Sequence, residues 1–432
     1  MIAWELDPLY IRGGTAYAIR RLADQLTGLG IETRVLLPEF LNTRPGKDLT
    51  PLLKPTLLKV RGELRHAPRV RQCSEFCRAA LEAVESIRAS AELDAVIAHG
   101  DEGAMFIIMR NGKRRHEPSV FWLHSLYDPP INDLTREEQR LLPSRSLLAS
   151  AVMTADIVVT STGILRDARD FEWPERLGEL QKALMNASSE HRVLTVESMG
   201  CLPAGSNNSH QKLISGSTLE SLTSVPSPYV LFPCRPSVDK GLGLFAAIAE
   251  RLQADDIACV AVQAPGQRAR PENPSSGAPI YWLPWLTSDE LAIAMRNAAC
   301  TVMPSITEGF GLAATESISQ GVSTLYQKVG GHHGLPAAPN AFPVPLTVSE
   351  RAHLYDLWAE LISVYPDSWP VWIRHEISLK PLVDRWVEAI RSVVHHANGG
   401  TRRLEGVQSP QWRSEDWWGN KLRHRIEVGV NV

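Results

Sequence analysis

Two stretches of the sequence space charged residues in a way that could grip an anion or a polyol. The first is Arg235 followed by Lys240-Gly241, directly after the apolar run YVLFPC. Two cations on a loop leaving a strand suit a diphosphate, the arginine as a planar fork and the lysine as a point charge, although taken alone they fit a solvated turn equally well. The second is the string PSITEGFGLAATE, from Pro304 to Glu316. A helix starting near Gly309 would leave the N–H groups of its glycines free to hold phosphate, with Glu308 at its mouth. Glu316, eight residues on, would lie about two turns further along nearly the same face. A carboxylate there can accept two hydrogen bonds from a ribose diol. Any one glutamate near a helix start is commonly just a partner for the helix dipole; the whole string is far less common by chance.

Two further places carry weaker signals. Arg12-Gly13-Gly14 precedes a helical pattern, where glycines let backbone N–H groups approach an anion, although a Gly pair is more often a plain turn. His124 ends the run SVFWLH, where it could hydrogen-bond a sugar or a leaving group, or sit satisfied in the core. The adjacent pairs His332-His333 and His395-His396 point apart on a helix or strand and make poor chelates, so no metal site is expected. Cys73 and Cys77 lie one helical turn apart, and no second pair is spaced to complete a tetrahedral zinc site. Asp-x-Asp is absent, which argues against a divalent-metal nucleotide-sugar site, and a GxGxxG fingerprint is absent too, which lowers a dinucleotide oxidoreductase reading.

These residues need strand ends to stand on, since ligands of open α/β sheets bind beyond the carboxyl ends of the strands. IAWEL, ETRVLLP, AVIAH, SVFWLH, IVVTS and RVLTVES read as strands in the first half. Between Thr15 and Gly30 apolar residues recur at helical spacing (Ile19, Leu22, Ala23, Leu26, Leu29), with Gly30 as the C-cap, and further helices are expected around 70–90 and 133–153. That pattern predicts a doubly wound α/β domain over 1–203. Residues 204–228, rich in Ser, Gly, Asn and Pro, read as a linker. The βα rhythm restarts with YVLFPC, IACVAVQ, PIYWLPW, CTVMPS and STLYQ, the last clear strand. Thr287 to Glu290 forms a capping box, and a late helix spans about 379–394. The second domain is therefore 229–395, followed by a mixed tail over 396–432 that is either solvated or docked.

Composition narrows the classes. At about 100–200 residues per domain, 432 residues make two or three domains. Hydrophobic residues are 44% and charged residues 22%, an ordinary globular balance that excludes a largely disordered chain or a coiled coil. The net charge of −3 gives no reason to expect nucleic acid as a partner. No apolar run reaches the ~18 residues of a membrane helix, and MIAWELDPLY is not a secretory signal, while peripheral membrane contact stays open. Six sparse cysteines point to a reduced, cytoplasmic protein. The first strand is very short, so a few residues upstream of Met1 are expected.

In order along most of the chain, these segments resemble the retaining glycosyltransferases of the two-Rossmann GT-B fold, and most of all the large family 4 group related to glycogen and starch synthases. GGTAYAIRRLADQLTGLGIETRVLLP is similar to the family's N-terminal glycine loop, helix and second strand, and TADIVVTST to an interior strand. YVLFPCRPSVDKG resembles its Gly-Arg…Lys-Gly loop, and the stretch from Tyr281 to Gly321 its EGFGL segment; VGG at 329–331 resembles the loop that follows. The resemblance implies two Rossmann-like domains facing a cleft and no cofactor, the donor being a nucleotide-diphosphate sugar. Arg235 and Lys240 would hold the diphosphate, Glu316 the ribose, and Glu308 the sugar hydroxyls. Gly309, Phe310, Gly311 and Leu312 would line the donor site, Gly13 and Gly14 would approach the phosphates, and His124 would face the donor sugar. Transfer would keep the anomeric configuration, the leaving diphosphate taking the acceptor proton on the same face. Glycosidases instead flank the bond with two carboxylates, so Glu308 is not assigned as a nucleophile.

The sequence departs from the family at several points. The glutamate usual three residues after Gly331 is Gly334, and the glycine before Arg235 is Cys234. These two departures keep a second reading, a non-catalytic nucleotide or sugar binder on a decayed scaffold. A phosphorylase or a nucleotide-sugar epimerase on the same fold is a third. The acceptor, whether a metabolite, a lipid-linked sugar or a glycan, is not written in the sequence, and neither is the nucleotide base.

Overall fold

Short runs rich in Val, Ile, Leu and Ala, with no alternation of polar residues, become parallel strands covered on both faces. The computed structural model describes residues 1–2, 13–39, 54–59, 69–111, 117–124, 126, 134–173, 175–196, 224–263, 280–335, 337–361, 379–398 and 417–428. The expected linker over 204–228 therefore lies outside the described residues up to 223, as do Arg12, Cys201 and the stretch 399–416. The chain divides into two units, Met1–Val196 with Arg413–Val432, and Glu197–Trp412.

The first unit holds β1 (Arg34–Glu39), β2 (Lys54–Lys59), β3 (Val96–His99), β4 (Ser119–Leu123), β5 (Ile157–Ser161) and β6 (Val193–Val196). β1 pairs with β2, and β3 to β6 pair in sequence, every pairing parallel. Ile2 joins the two groups through parallel bridges to Leu36 and Ala98. Its N–H donates to Ile97 O at 2.8 Å and its carbonyl accepts from the His99 N–H at 3.2 Å. The chain thus winds outward from Ile2 to β2 on one side and from β3 to β6 on the other, which makes the Ile2–β3 boundary a topological switch point.

Helices α1 (Gly13–Gly28), α2 (Arg69–Arg88), α3 (Gly100–Asn111), α4 (Arg136–Arg140), α5 (Leu147–Thr154), α6 (Thr162–Asp170) and α7 (Glu175–Ser189) connect these strands. In α1 the residues Ile19, Leu22, Ala23 and Leu26 are buried, as their spacing predicts. Gly30, at φ +79°, turns the chain out of the helix. The single helix expected around 133–153 is two. Pro143 interrupts it, and Ser146 starts α5 by accepting the Ala149 N–H on its side chain at 3.0 Å. Cys73 and Cys77 are both buried in α2. The end of the chain returns to this unit as the helix Trp417–Val428, which lies on α1. The Gly419 N–H donates to Gln25 Oε1 at 3.2 Å, Lys421 Nζ to Thr195 O at 2.9 Å, and Leu422 is buried.

The second unit holds β7 (Tyr229–Phe232), β8 (Ala258–Val262), β9 (Ile280–Leu283), β10 (Cys300–Met303), β11 (Thr324–Gln327) and β12 (Ala341–Val344) in the order β12-β11-β10-β7-β8-β9, all parallel. The winding reverses between β7 and β10. Helices α8 (Leu242–Leu252), α9 (Ser288–Asn297), α10 (Leu312–Ser319), α11 (Val348–Leu361) and α12 (Lys380–Asn398) accompany it, and the terminal helix over 417–428 is α13. Thr287 and Glu290 form the expected capping box of α9. The sequence pattern misses β12, because Pro343 breaks its run; an edge strand tolerates proline, having one side free of ladder bonds.

Candidate functional site

Three loops leave the carboxyl ends of β7, β10 and β11, neighbours around the switch point of the second unit, and glycines allow them to lie against each other. Gly241 has φ +74°, and a Cβ there would stand 1.8 Å from Pro304 O. Gly330 has φ +46°, and its Cβ would stand 1.8 Å from Glu308 O. The Gly331 N–H donates to that same carbonyl at 2.8 Å, and the N–H of Ile306 donates to Asp239 O at 2.9 Å. Backbone contact this close fixes the side chains of one loop against those of the next.

The result is a cluster of charges drawn from distant parts of the sequence. Lys240 Nζ donates to Glu308 Oε2 at 3.0 Å and lies 3.7 Å from Asp239 Oδ2. Ser305 Oγ donates to Glu308 Oε2 at 3.3 Å. Arg235 Nη2 stands 3.9 Å from Asp239 Oδ2, with its side chain 65% exposed. Burial pushes the Glu308 carboxyl up, but Lys240, His332 and the hydrogen bonds outweigh it and hold it below the usual carboxylate range. Burial likewise works against the charged Lys240, and Glu308 and Asp239 more than offset it, leaving the ammonium above its ordinary value. Cys234 is buried beside the cluster; burial first, then the carboxylates of Glu308, Asp239 and Glu316, push its thiol up to about 12. It is a thiol at neutral pH, not a nucleophile.

One local expectation is corrected. The helix after Glu308 begins at Leu312, not near Gly309, because Gly311 sits at φ +68° in the left-handed region as the N-cap. Glu308 therefore stands in the loop ahead of the helix, and the two glutamates do not share one helical face. Gly309 and Phe310 belong to that loop, while Leu312 opens α10. Glu316 lies on α10, whose position is set by a buried hydroxyl cluster: Ser317 Oγ meets Thr301 Oγ1 at 2.6 Å on β10 and Thr324 Oγ1 at 2.8 Å on β11.

Sequence reasoning passed over His332, which lies buried in the 3₁₀ turn Gly330–Gly334. Its Nδ1 is 2.8 Å from Gln327 O and its Nε2 is 3.9 Å from Glu308 Oε2. The Gln327 side chain, its amide oriented to satisfy both neighbours, donates to Ser305 O at 2.8 Å and accepts from Trp386 Nε1 at 3.2 Å. Gln327 thereby ties the β10 loop, the 330–334 turn and α12 together. The signal that could have found His332 is its place directly after Gly330-Gly331.

In the first unit, Gly13 and Gly14 are the first two residues of α1, where backbone N–H groups have no intrahelical partner. His124 follows β4 and His99 ends β3. Their rings stack at 5.2 Å, with His99 Nδ1 2.9 Å from His124 Nε2, and Trp122 stacks on both. Burial lowers the His124 pKa to about 3; burial first, then His124, holds His99 well below its ordinary value. Both rings are neutral at pH 7.

The segment from Leu286 to Leu335 matches the model of a family described as Family 4 Glycosyltransferase in conflict systems, at residues 286–335. That segment carries Glu308, Glu316 and His332. No curated protein matches the sequence. Among solved structures, the catalytic domain of starch synthase IV from Arabidopsis thaliana, bound to ADP and acarbose, aligns with a TM-score of 0.61 at 14% identity, over 91% of this chain and 98% of that one. Sucrose-phosphate synthase from Thermosynechococcus elongatus aligns at 0.55 and 15% identity, over 92% and 96%. A trehalose-6-phosphate protein from E. coli, bound with UDP-2-fluoro glucose, aligns at 0.52 and 9% identity, over 99% and 98%. The fold is GT-B, with two Rossmann-like units, and the resemblance to family 4 glycosyltransferases is borne out over the matched segment. Among the described residues no helix is long and apolar enough to cross a membrane.

Proposed function

We propose that this protein is a cytoplasmic, metal-independent retaining glycosyltransferase that takes a sugar from a nucleotide-diphosphate donor to an acceptor hydroxyl. The observation that carries the reading is the Lys240–Glu308 pair at the switch point of the second unit, 3.0 Å apart, with Glu308 inside the family-matched segment 286–335. Arg235, exposed beside it, and Lys240 supply positive charge for a diphosphate and stabilise the charge that develops as it leaves. Glu308 accepts sugar hydroxyls and Glu316 the ribose; the backbone of Gly309, Phe310, Gly311 and Leu312 lines the donor. For the first unit the reading keeps Gly13 and Gly14 for the phosphates and neutral His124 for the sugar. The relatives bound to ADP and to UDP-2-fluoro glucose support a nucleotide donor. Among the described residues five buried cysteines form no disulfide, which accords with a reduced compartment.

The test is thermal shift with UDP, GDP, ADP and dTDP, each beside its monophosphate. A ligand of the folded state adds about 2.7 kcal/mol at a hundredfold excess over Kd. One diphosphate is expected to stabilise well beyond its monophosphate, and the matching nucleotide sugar to be turned over. Diphosphate binding with no turnover on any acceptor tried would favour a binding protein on the same scaffold; no diphosphate effect at all removes the donor site.

A further inference from the structure

Two hydrogen-bond acceptors, His332 Nε2 and Glu308 Oε2, stand 3.9 Å apart in the second unit. His332 is only 1% exposed. Its Nδ1 points at the Gln327 carbonyl, 2.8 Å away, and a carbonyl oxygen only accepts, so Nδ1 carries the proton. In the neutral ring Nε2 then holds a lone pair. That lone pair faces Glu308 Oε2 at 3.9 Å, beyond hydrogen-bond reach. Burial outweighs the attraction of Glu308 and keeps the imidazole below its ordinary pKa, so the ring does not resolve the confrontation by taking up a proton at neutral pH. Nor can it turn away. Gly311 lies against it so closely that a Cβ there would meet His332 Cδ2 at 2.6 Å, and Tyr326 packs edge-on at 5.5 Å.

Glu308 Oε2 already accepts from Lys240 and Ser305, whereas the neighbouring His332 Nε2 lone pair gains most from a third group that brings it a proton. Glu308 keeps 12% of its side chain open, so such a group can reach it. Two acceptors at this separation suit the two hydroxyls of a vicinal diol, each donating to one. We propose that His332 is a specificity residue of the donor site, its Nε2 accepting one hydroxyl of the transferred sugar while Glu308 accepts the neighbouring one. The inference rests on the reading of this site as one for a nucleotide-diphosphate sugar, and it selects donors whose sugar presents two adjacent free hydroxyls.

Two substitutions separate the ring's two nitrogens. His332→Asn keeps an N–H for the Gln327 carbonyl and leaves nothing at Nε2; His332→Gln reaches further and can place an oxygen there. Isothermal titration of the full chain with UDP, ADP and GDP, and with UDP-glucose, ADP-glucose and GDP-mannose, gives the affinity that each sugar adds to its diphosphate. H332N should bind the diphosphates within about twofold of wild type and lose about tenfold of the sugar's added affinity, and H332Q should recover most of it. In the wild-type chain, labelled with 15N-histidine, the His332 Nε2 resonance should move with the nucleotide sugar and not with the diphosphate; this readout needs no stable variant. An unmoved resonance, or a variant that keeps the sugar increment, overturns the proposal. So does equal loss of diphosphate and sugar nucleotide, which marks a merely structural ring. Diphosphate binding to which no sugar adds anything overturns the role of His332 and leaves the diphosphate site standing, whereas no diphosphate binding at all removes the underlying reading as well.

Discussion

Lys240 and Glu308, 68 residues apart in sequence, meet at 3.0 Å between Nζ and Oε2, with side chains only 19% and 12% exposed. Neither is placed by its own helix. The lysine ends the loop after β7, the glutamate stands in the loop after β10, and the glycines at 241 and 330 let those loops and the next one touch. The pair is therefore a readout of the whole loop arrangement.

Removing one partner leaves a buried charge unanswered. Lys240→Ala should cost about 2–3 kcal/mol, somewhat below a fully buried pair because some water reaches both groups. Adding Glu308→Gln to it should recover part of the loss, measured by thermal melting of the single and double variants. The pH sign follows from the depressed Glu308 pKa: its contribution is present above the unfolded value of about 4.3 and is lost as pH falls through the folded value. The wild type and E308Q should therefore draw together as pH falls below the unfolded value and through the folded one. A loss in K240A that E308Q does nothing to relieve would falsify the pairing.

Two glycine substitutions should move stability in opposite directions. Gly330→Ala puts a Cβ 1.8 Å from Glu308 O at φ +46°, so backbone must shift, and a loss of at least ~2 kcal/mol is expected. Gly178, inside α7, has nothing within 4 Å of the added Cβ, and alanine there should gain about 0.5–1 kcal/mol through helix propensity. Denaturant midpoints of the two variants check both signs; a neutral G330A would contradict the close approach of the loops.

The βα alternation was readable because strands buried on both faces carry uninterrupted apolar runs, and the charged loops were readable from residue type alone. What stayed hidden depends on contacts between distant backbones. The start of α10 at Leu312 hangs on one left-handed glycine, Gly311, whose conformation no periodicity reports. Strand β12 hides behind Pro343, and His332 looked like half of a poor chelate because its partners, Gln327 O and Glu308, come from two other segments. The terminal helix over 417–428 could be read as solvated or docked; Leu422 and Gly419 decide for docking on α1.

The stacked histidines of the first unit should make acid destabilising well before its carboxylates titrate. Both His99 and His124 are held below their ordinary pKa, His124 to about 3. The unfolded chain, titrating near 6.5, binds protons the folded chain refuses, so stability is present above about pH 6.5 and falls as pH drops toward 3. Each ring contributes a slope of about 1.4 kcal/mol per pH unit inside that window. Melting temperature followed from pH 7 to pH 5 should fall in the wild type and fall less in His99→Gln/His124→Gln. Equal slopes in the two proteins would mean that the rings are solvated and free to protonate.

Arg235 and Lys240 should separate stability from turnover. Arg235 leaves 65% of its side chain in solvent and approaches Asp239 only to 3.9 Å, so Arg235→Ala should leave the melting temperature unchanged, since exposed pairs of this kind contribute about 0–1 kcal/mol. Lys240 is tied into the buried pair, so its alanine variant should lose stability as well. On the glycosyltransferase reading both supply charge to the departing diphosphate, and both variants should lose about 10²-fold or more in kcat/KM with a nucleotide sugar. The informative case is Arg235. An arginine that holds the diphosphate equally in substrate and transition state raises KM when lost and leaves kcat alone; one that engages charge developing on the leaving oxygen lowers kcat. Its exposed position and weak internal pairing leave its guanidinium free to follow the diphosphate, so the kcat effect is expected to dominate. R235A turnover equal to wild type, with K240A impaired only in proportion to its lost stability, would remove both residues from the reaction.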